Sequence, residues 1–125
     1  MTARPGSRPS SRSTGDVPVE RIGMVLAALA DPTRRQLLDV MVDVGRASAT
    51  SLAEHLPVSR QAVVKHLQVL ESADLVVRLR VGREVLFSAD TGPLDASARW
   101  LADLSSAWDR RLAALKERAE AAEAD

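Results

Sequence analysis

The stretch Ser59–Gln68 reads SRQAVVKHLQ, and its polar side chains are spaced to act on one target. Read as a helix, it turns Val63 and Leu67, with Leu70 beyond, onto one inward face. Arg60, Gln61, Val64, Lys65 and Gln68 are left pointing outward. Those five side chains suit the edges of nucleobases. Arg and Lys donate to guanine O6 and N7, Gln bonds adenine twice, and Val meets a thymine methyl. Ser59 stands at the helix start, where a hydroxyl and unpaired backbone N–H groups can meet a phosphate. A second basic group, Arg78, Arg80 and Arg83, follows in LVVRLRVGR. Each arginine alone is as readily a solvated surface charge. Their gathering on neighbouring elements points to a nucleic-acid duplex, with the hairpin arginines toward its backbone or minor groove.

The elements that carry these residues follow from local chemistry. Ser59 caps a helix from Arg60 to about Ala73. A shorter helix, about Ser51–Leu56, precedes it, with Ser51 and Glu54 at capping-box spacing and a break at Pro57-Val58. Two short helices joined by a tight break outline a helix-turn-helix. From Leu75 the pattern alternates, with Val77, Leu79 and Val81 on one side and Arg78 and Arg80 on the other. Gly82-Arg83 joins this run to EVLFS as a type II′ hairpin turn. A β-hairpin directly after the reading helix is a wing. The fold class is mainly α, an α+β winged helix-turn-helix with a two-stranded wing between long N- and C-terminal helices.

Upstream, Ile22, Val25, Leu26 and Leu29 share one helical face. Asp31-Pro32 ends that helix and caps the next, which buries Leu37, Leu38, Met41 and Val44 and stops at Gly45. Downstream, Thr91-Gly92-Pro93 opens a helix that nothing breaks until about residue 122. Leu94, Ala98, Leu101, Ser105, Trp108, Leu112, Leu115 and Ala119 alternate by four and three along it, widened by Trp100 and Leu104. One small domain cannot cover such a helix. We expect a second copy to do so, through Ile22, Val25 and Leu29 of the first helix and Leu101, Leu104, Trp108, Leu112 and Leu115 of the last. The alternative is that the seam belongs to the chain's own core.

Composition bounds these readings. The 125 residues suit one domain, placed at 19–123 with its terminal helix at about 93–122. Residues 1–18, rich in Pro, Gly, Ser and Arg, are expected to be a disordered basic tail. Hydrophobic residues at 46% and charged residues at 27% are globular proportions. No apolar run approaches a membrane span and no signal-peptide pattern is present, so a cytoplasmic protein is expected. Seventeen basic and seventeen acidic residues leave no net charge. Residues 58–83, however, hold five basic residues against Glu71 and Asp74, while the terminal helix is acidic. With no cysteine there is no disulfide, thiol nucleophile or thiolate metal site. His55 and His66 are too few to ligate a metal alone. There is no phosphate loop and no nucleophile with a base at useful spacing. No enzyme, cofactor or metal is expected.

Two blocks carry a resemblance. LAALADPTRRQLLDVMV is similar to the LxDPTRRxIL opening of ArsR-family transcription regulators, and SRQAVVKHLQVLESADLVVRLRVGREVLFSAD to their SxxAVSxHLxxLxxAGLVxxxxxGRxxxY recognition helix and wing. The resemblance covers roughly residues 19–110. It implies a dimeric winged-helix repressor on a palindromic double-stranded DNA operator, dimerising through its first and last helices. Carried over, the base-facing positions are Arg60, Gln61, Val64 and Lys65. Val64 stands where the family usually has Ser, and Asp74 where it has Gly. Metal-sensing members carry Cys-x-Cys in or near the third helix, or Asp and His ligands on the last. Here the third helix reads TSLAEHL, and the last holds Asp95, Asp103 and Asp109 but no His. PLDASARWLADLSSAWDRRLAALKE resembles the metal-free subgroup instead. The effector is unnamed by any residue pattern. A protein-interaction module without DNA binding, and a sensor of an unidentified ligand, stand as alternatives.

Overall fold

The computed structural model describes residues 18–124, and the expected N-terminal tail lies outside them except for Pro18. Among the described residues five helices and three strands follow in the order α1 (Val19–Leu29), α2 (Pro32–Val44), β1 (Ala47–Ser48), α3 (Ala49–Ala53), α4 (Arg60–Ser72), β2 (Val76–Val81), β3 (Glu84–Ala89) and α5 (Gly92–Ala124). This is a mainly helical winged helix-turn-helix with a small antiparallel sheet.

The α1–α2 junction shows why the motif DPTRR is written as it is. The Asp31 carboxylate accepts from the N–H groups of Thr33, at 2.7 Å, and Arg34, at 3.3 Å, and Pro32 occupies the first helical position. Arg34 and Arg35 turn back to the unpaired carbonyls that end α1. Arg34 Nε donates to Ala28 O at 2.7 Å, and Arg35 Nη1 to Leu29 O at 2.6 Å. One five-residue motif therefore closes two helix ends at once.

The core gathers Val25 and Ala28 of α1, Leu37 and Met41 of α2, Leu52 of α3, and Val63, Leu67 and Leu70 of α4 against Val76 and Phe87 of the sheet. Val63 and Leu70 are completely covered, so the inward stripe of α4 is the one its spacing predicts. Val44, expected beside Met41, is 49% exposed, because it lies on the last turn of α2 as the chain leaves the core.

The sheet has three strands in the order β1-β3-β2, one more than the expected hairpin. β1 pairs Ala47 with Phe87 and Ser48 with Leu86. Two residues are too few to show an alternating pattern. Ser48 also shifts the start of α3, because its side chain accepts from Ser51 N at 3.1 Å. Ser51, expected near the cap, sits inside the first turn instead. The β2–β3 hairpin closes at Val81↔Glu84 around Gly82-Arg83. Of those two residues only Gly82 has positive φ, at 61°, as a type II′ turn requires.

α5 has 33 residues and is about 50 Å long. Its first turns bury Pro93, Ala96 and Ser97. Beyond Trp100 almost every residue is exposed. The covered face is thus offset from the predicted seam.

Candidate nucleic-acid interface

α4 is held at both ends. At its start the Ser59 hydroxyl accepts from Ala62 N at 3.1 Å, which caps the helix and leaves the hydroxyl proton free to donate outward. At its end Leu75 N donates to Leu70 O and Asp74 N to Glu71 O, both at 3.0 Å, the paired bonds of a Schellman motif. Asp74 fills the left-handed position with φ 62°, the residue that stands where the resemblance has Gly. Its carboxylate receives the Arg21 guanidinium of α1.

Between these caps the outward side chains divide. Gln61 and Lys65 are exposed on the outermost face, Gln68 with them. Arg60, Val64 and Gln68 line an open cleft of about 720 Å³ whose other walls are α3 and the wing. Arg78 and Arg83 line the same cleft. Arg60 is steadied there by its Nε, which donates to Thr50 Oγ1 of α3 at 3.0 Å, leaving its terminal nitrogens outward. Thr50 carried no signal in the sequence, since only tertiary packing brings it to Arg60. Val69 is a further outward residue of α4, 41% exposed.

The wing presents its arginines in an unforeseen direction. The alternation of β2 is as expected, and the arginines, though exposed, share the face of buried Val76 and Phe87. Arg78 lies opposite Phe87 and Arg80 opposite Val85, on the sheet face that begins with buried Val76. Leu79 and Val81, on the other face, are 44% and 46% exposed. Arg78 is tied down. Its Nε and Nη2 donate to the two oxygens of Glu71 at 3.1 and 3.0 Å, and its guanidinium lies 5.6 Å from the centre of the Phe87 ring. Among the described residues no side-chain hydrogen bond or ion pair holds Arg80, Arg83, Lys65, Gln61 or Gln68, which leaves their donors to a ligand.

His66 faces α2, where Arg34 Nη1 donates to its Nδ1 at 3.3 Å. His55 Nδ1 donates to Ser51 O at 3.0 Å. Among the described residues no three His, Asp or Glu side chains gather as a metal site would need. Desolvation raises the Asp31 pKa, but the N–H groups of Thr33 and Arg34 and the charge of Arg34 outweigh it. Asp31 therefore ionises below its usual value, and the α2 cap is charged at neutral pH.

The expected dimer-interface residues divide by element. On α5, Leu101, Trp108, Leu112 and Leu115 are 44%, 53%, 62% and 54% exposed, and Leu104 is half-buried. On α1 the burial is different. Ile22 and Val25 are 2% and 4% exposed, already covered by their own chain, and Leu29 packs on the same core. One amphipathic face cannot serve the core and a partner at once. The large apolar residues of α1 that remain outward are Val19, Met24 and Leu26.

Among the described residues no helix is long and apolar enough to cross a membrane. Residues 29–79 match the family model described as a helix-turn-helix domain. Over 88 residues, 70% of this chain and 97% of the other, the sequence is 32% identical to the transcriptional repressor SdpR of Bacillus subtilis (strain 168). It is 39% identical to the HTH-type transcriptional regulator Rv2034 of Mycobacterium tuberculosis, over 68% of this chain and 76% of the other. The fold is similar to an ArsR-like transcriptional regulator from Rhodococcus sp. RHA1, with TM-score 0.72, 43% identity, and coverage of 79% of this chain and 92% of that one. A capped outward-reading helix, a basic wing beside it and these likenesses together show that the chain belongs to the ArsR family of DNA-binding helix-turn-helix transcriptional regulators, which are not enzymes.

Proposed function

We propose that two copies of this chain bind a palindromic operator and repress transcription from it. α4 enters the major groove, where Gln61, Val64, Lys65 and Gln68 meet base edges and Ser59 and Arg60 meet the flanking phosphates or a guanine. The wing lies along the backbone or minor groove through Arg80 and Arg83. The observation that carries this reading is the single cleft lined by Arg60, Val64, Gln68 and Arg83, with Gln61 and Lys65 exposed beside it. Pairing of two copies is supported by the exposed apolar side of α5, where Trp108, Leu112 and Leu115 are more than half exposed among the described residues. SdpR carries the name repressor, which supports that direction of control. The role is a cytoplasmic one, beside the DNA, and no metal or cofactor takes part in it.

Selection from a random double-stranded DNA library tests the proposal. Enrichment of an inverted repeat is expected, bound with an affinity that falls steeply with salt as Lys and Arg displace counterions. Recovery of no common sequence would overturn it in favour of a protein-interaction module.

A further inference from the structure

We infer that Arg78 is a positioning residue, which with Glu71 and Phe87 clamps the base of the wing to the recognition helix, while Arg80 and Arg83 make the wing's DNA contacts. The inference rests on the DNA-binding reading above. It begins with the company Arg78 keeps. Glu71 is the penultimate residue of α4, and Arg78 is the third residue of β2, just past the Asp74 turn. The guanidinium gives two parallel N–H groups to the two Glu71 oxygens, the fork geometry that a carboxylate fits best. Its flat face covers Phe87, the one phenylalanine of the chain, which is 7% exposed at the centre of the sheet. Phe87 also pairs with Ala47 of β1, so the contact reaches all three strands.

Arg80 shares the Arg78 side of β2, about 7 Å further toward the wing tip. Arg83 lies in the turn beyond it. An exposed pair such as Glu71–Arg78, with side chains 34% and 51% exposed, adds little to global stability. Its effect is directional. The wing past Arg78 has exposed residues on both faces, and besides the pairing of Leu86 with Ser48 of β1 and the packing of Val85 on the core, the hairpin is anchored at its root. A restraint at that root sets where Arg80 and Arg83 stand relative to α4.

The rival role is direct phosphate contact by Arg78, and the two differ in sign. If Arg78 met a phosphate, Glu71→Gln would remove a nearby repelling charge and tighten binding. Arg78→Lys would then retain most of the affinity, because Lys serves a phosphate as a point charge. If Arg78 is a clamp, Glu71→Gln weakens binding, and Arg78→Lys is as harmful as Arg78→Gln because Lys has no fork. The test measures binding of each variant to the inverted repeat selected by the wild-type protein, across a salt series. We expect losses of about threefold to tenfold for Glu71→Gln and Arg78→Lys, with the salt slope unchanged. The exchanged pair Glu71→Arg with Arg78→Glu should recover affinity. Tighter binding by Glu71→Gln, or near-normal binding by Arg78→Lys, overturns the inference.

A second readout needs no DNA. In the free protein, amide hydrogen exchange from Leu79 to Val85 should quicken about threefold to tenfold in Glu71→Gln, while Val63–Leu70 of α4 keeps its protection. Unchanged exchange in the wing overturns the clamp. If the wild-type protein selects no DNA, the operator reading fails, and the exchange data still decide whether the clamp exists.

Discussion

Asp74 is the one non-glycine residue with positive φ among the described residues, and two effects of opposite sign meet there. The left-handed conformation costs a residue with a Cβ about 1–2 kcal/mol, less for Asp, whose side chain bonds locally. Against that, its carboxylate holds Arg21 of α1 in an ion pair with side chains 26% and 37% exposed. A pair so open to solvent contributes about 0.2–1 kcal/mol. Asp74→Gly should lose the pair and relieve the strain, ending within about 1 kcal/mol of the parent. Asp74→Asn keeps a residue tolerant of this conformation and loses only the pair, at about 0.2–1 kcal/mol. Asp74→Ala loses the pair and gains the full strain, so it should be about 1–2 kcal/mol less stable than the parent. In melting temperature that is a fall of roughly 3–8 °C. Urea titration followed by circular dichroism, at one fixed protein concentration so that self-association contributes equally, reads the order directly. Asp74→Ala matching Asp74→Gly would refute the reasoning, because the backbone would then not be held left-handed at this cap.

Four further outcomes follow from named contacts. Leu67→Ala empties a fully enclosed site on α4 and should cost about 2–5 kcal/mol in the same titration. Gln61→Ala and Lys65→Ala should each weaken binding to the selected operator by about 1–3 kcal/mol in a gel-shift titration, with little change in melting temperature. Trp108→Glu puts a charge on the exposed apolar side of α5 and should give monomers by sedimentation where the parent sediments as a dimer. Asp31 has a folded pKa below its ordinary value of 3.8, so the stability its charge contributes is full above that value and lost as pH falls through the folded pKa. The stability difference between the parent and Asp31→Asn, which can still accept the cap bonds, should be constant near neutrality and close only in acid below about pH 4. A difference that instead changes between pH 6 and 8 would refute the assignment to the Asp31 carboxylate.

Much of this molecule is legible in the chain because much of its chemistry is local. Caps at Asp31 and Ser59, the turn at Gly82 and the inward stripe of α4 each depend on residues within one or two turns of one another. The same holds for the outward set Gln61, Lys65 and Gln68, since a helix face is set by spacing alone. The resemblance added the family, through motifs whose spacing survives in both blocks.

What spacing cannot settle is which of two possible neighbours a face meets. Ile22 and Val25 form an apolar stripe that suits a partner or a core equally. Only packing of α1 against the rest of the chain turned them inward and left Val19, Met24 and Leu26 outside. β2 alternates in either orientation, and it was the pairing with β3 and the burial of Phe87 that put the arginines on the α4 side. β1 has no signal of its own, because its two residues become a strand only where β3 offers an edge. Thr50 meeting Arg60, and Glu71 meeting Arg78, are contacts between elements, set by where the helices and the wing come to rest. The sequence by itself therefore determined most of the elements, the caps at Asp31 and Ser59 and the outward face of α4. The tertiary structure decided which arginines are held by the protein and which keep their donors free, because that depends on neighbours brought together only by folding.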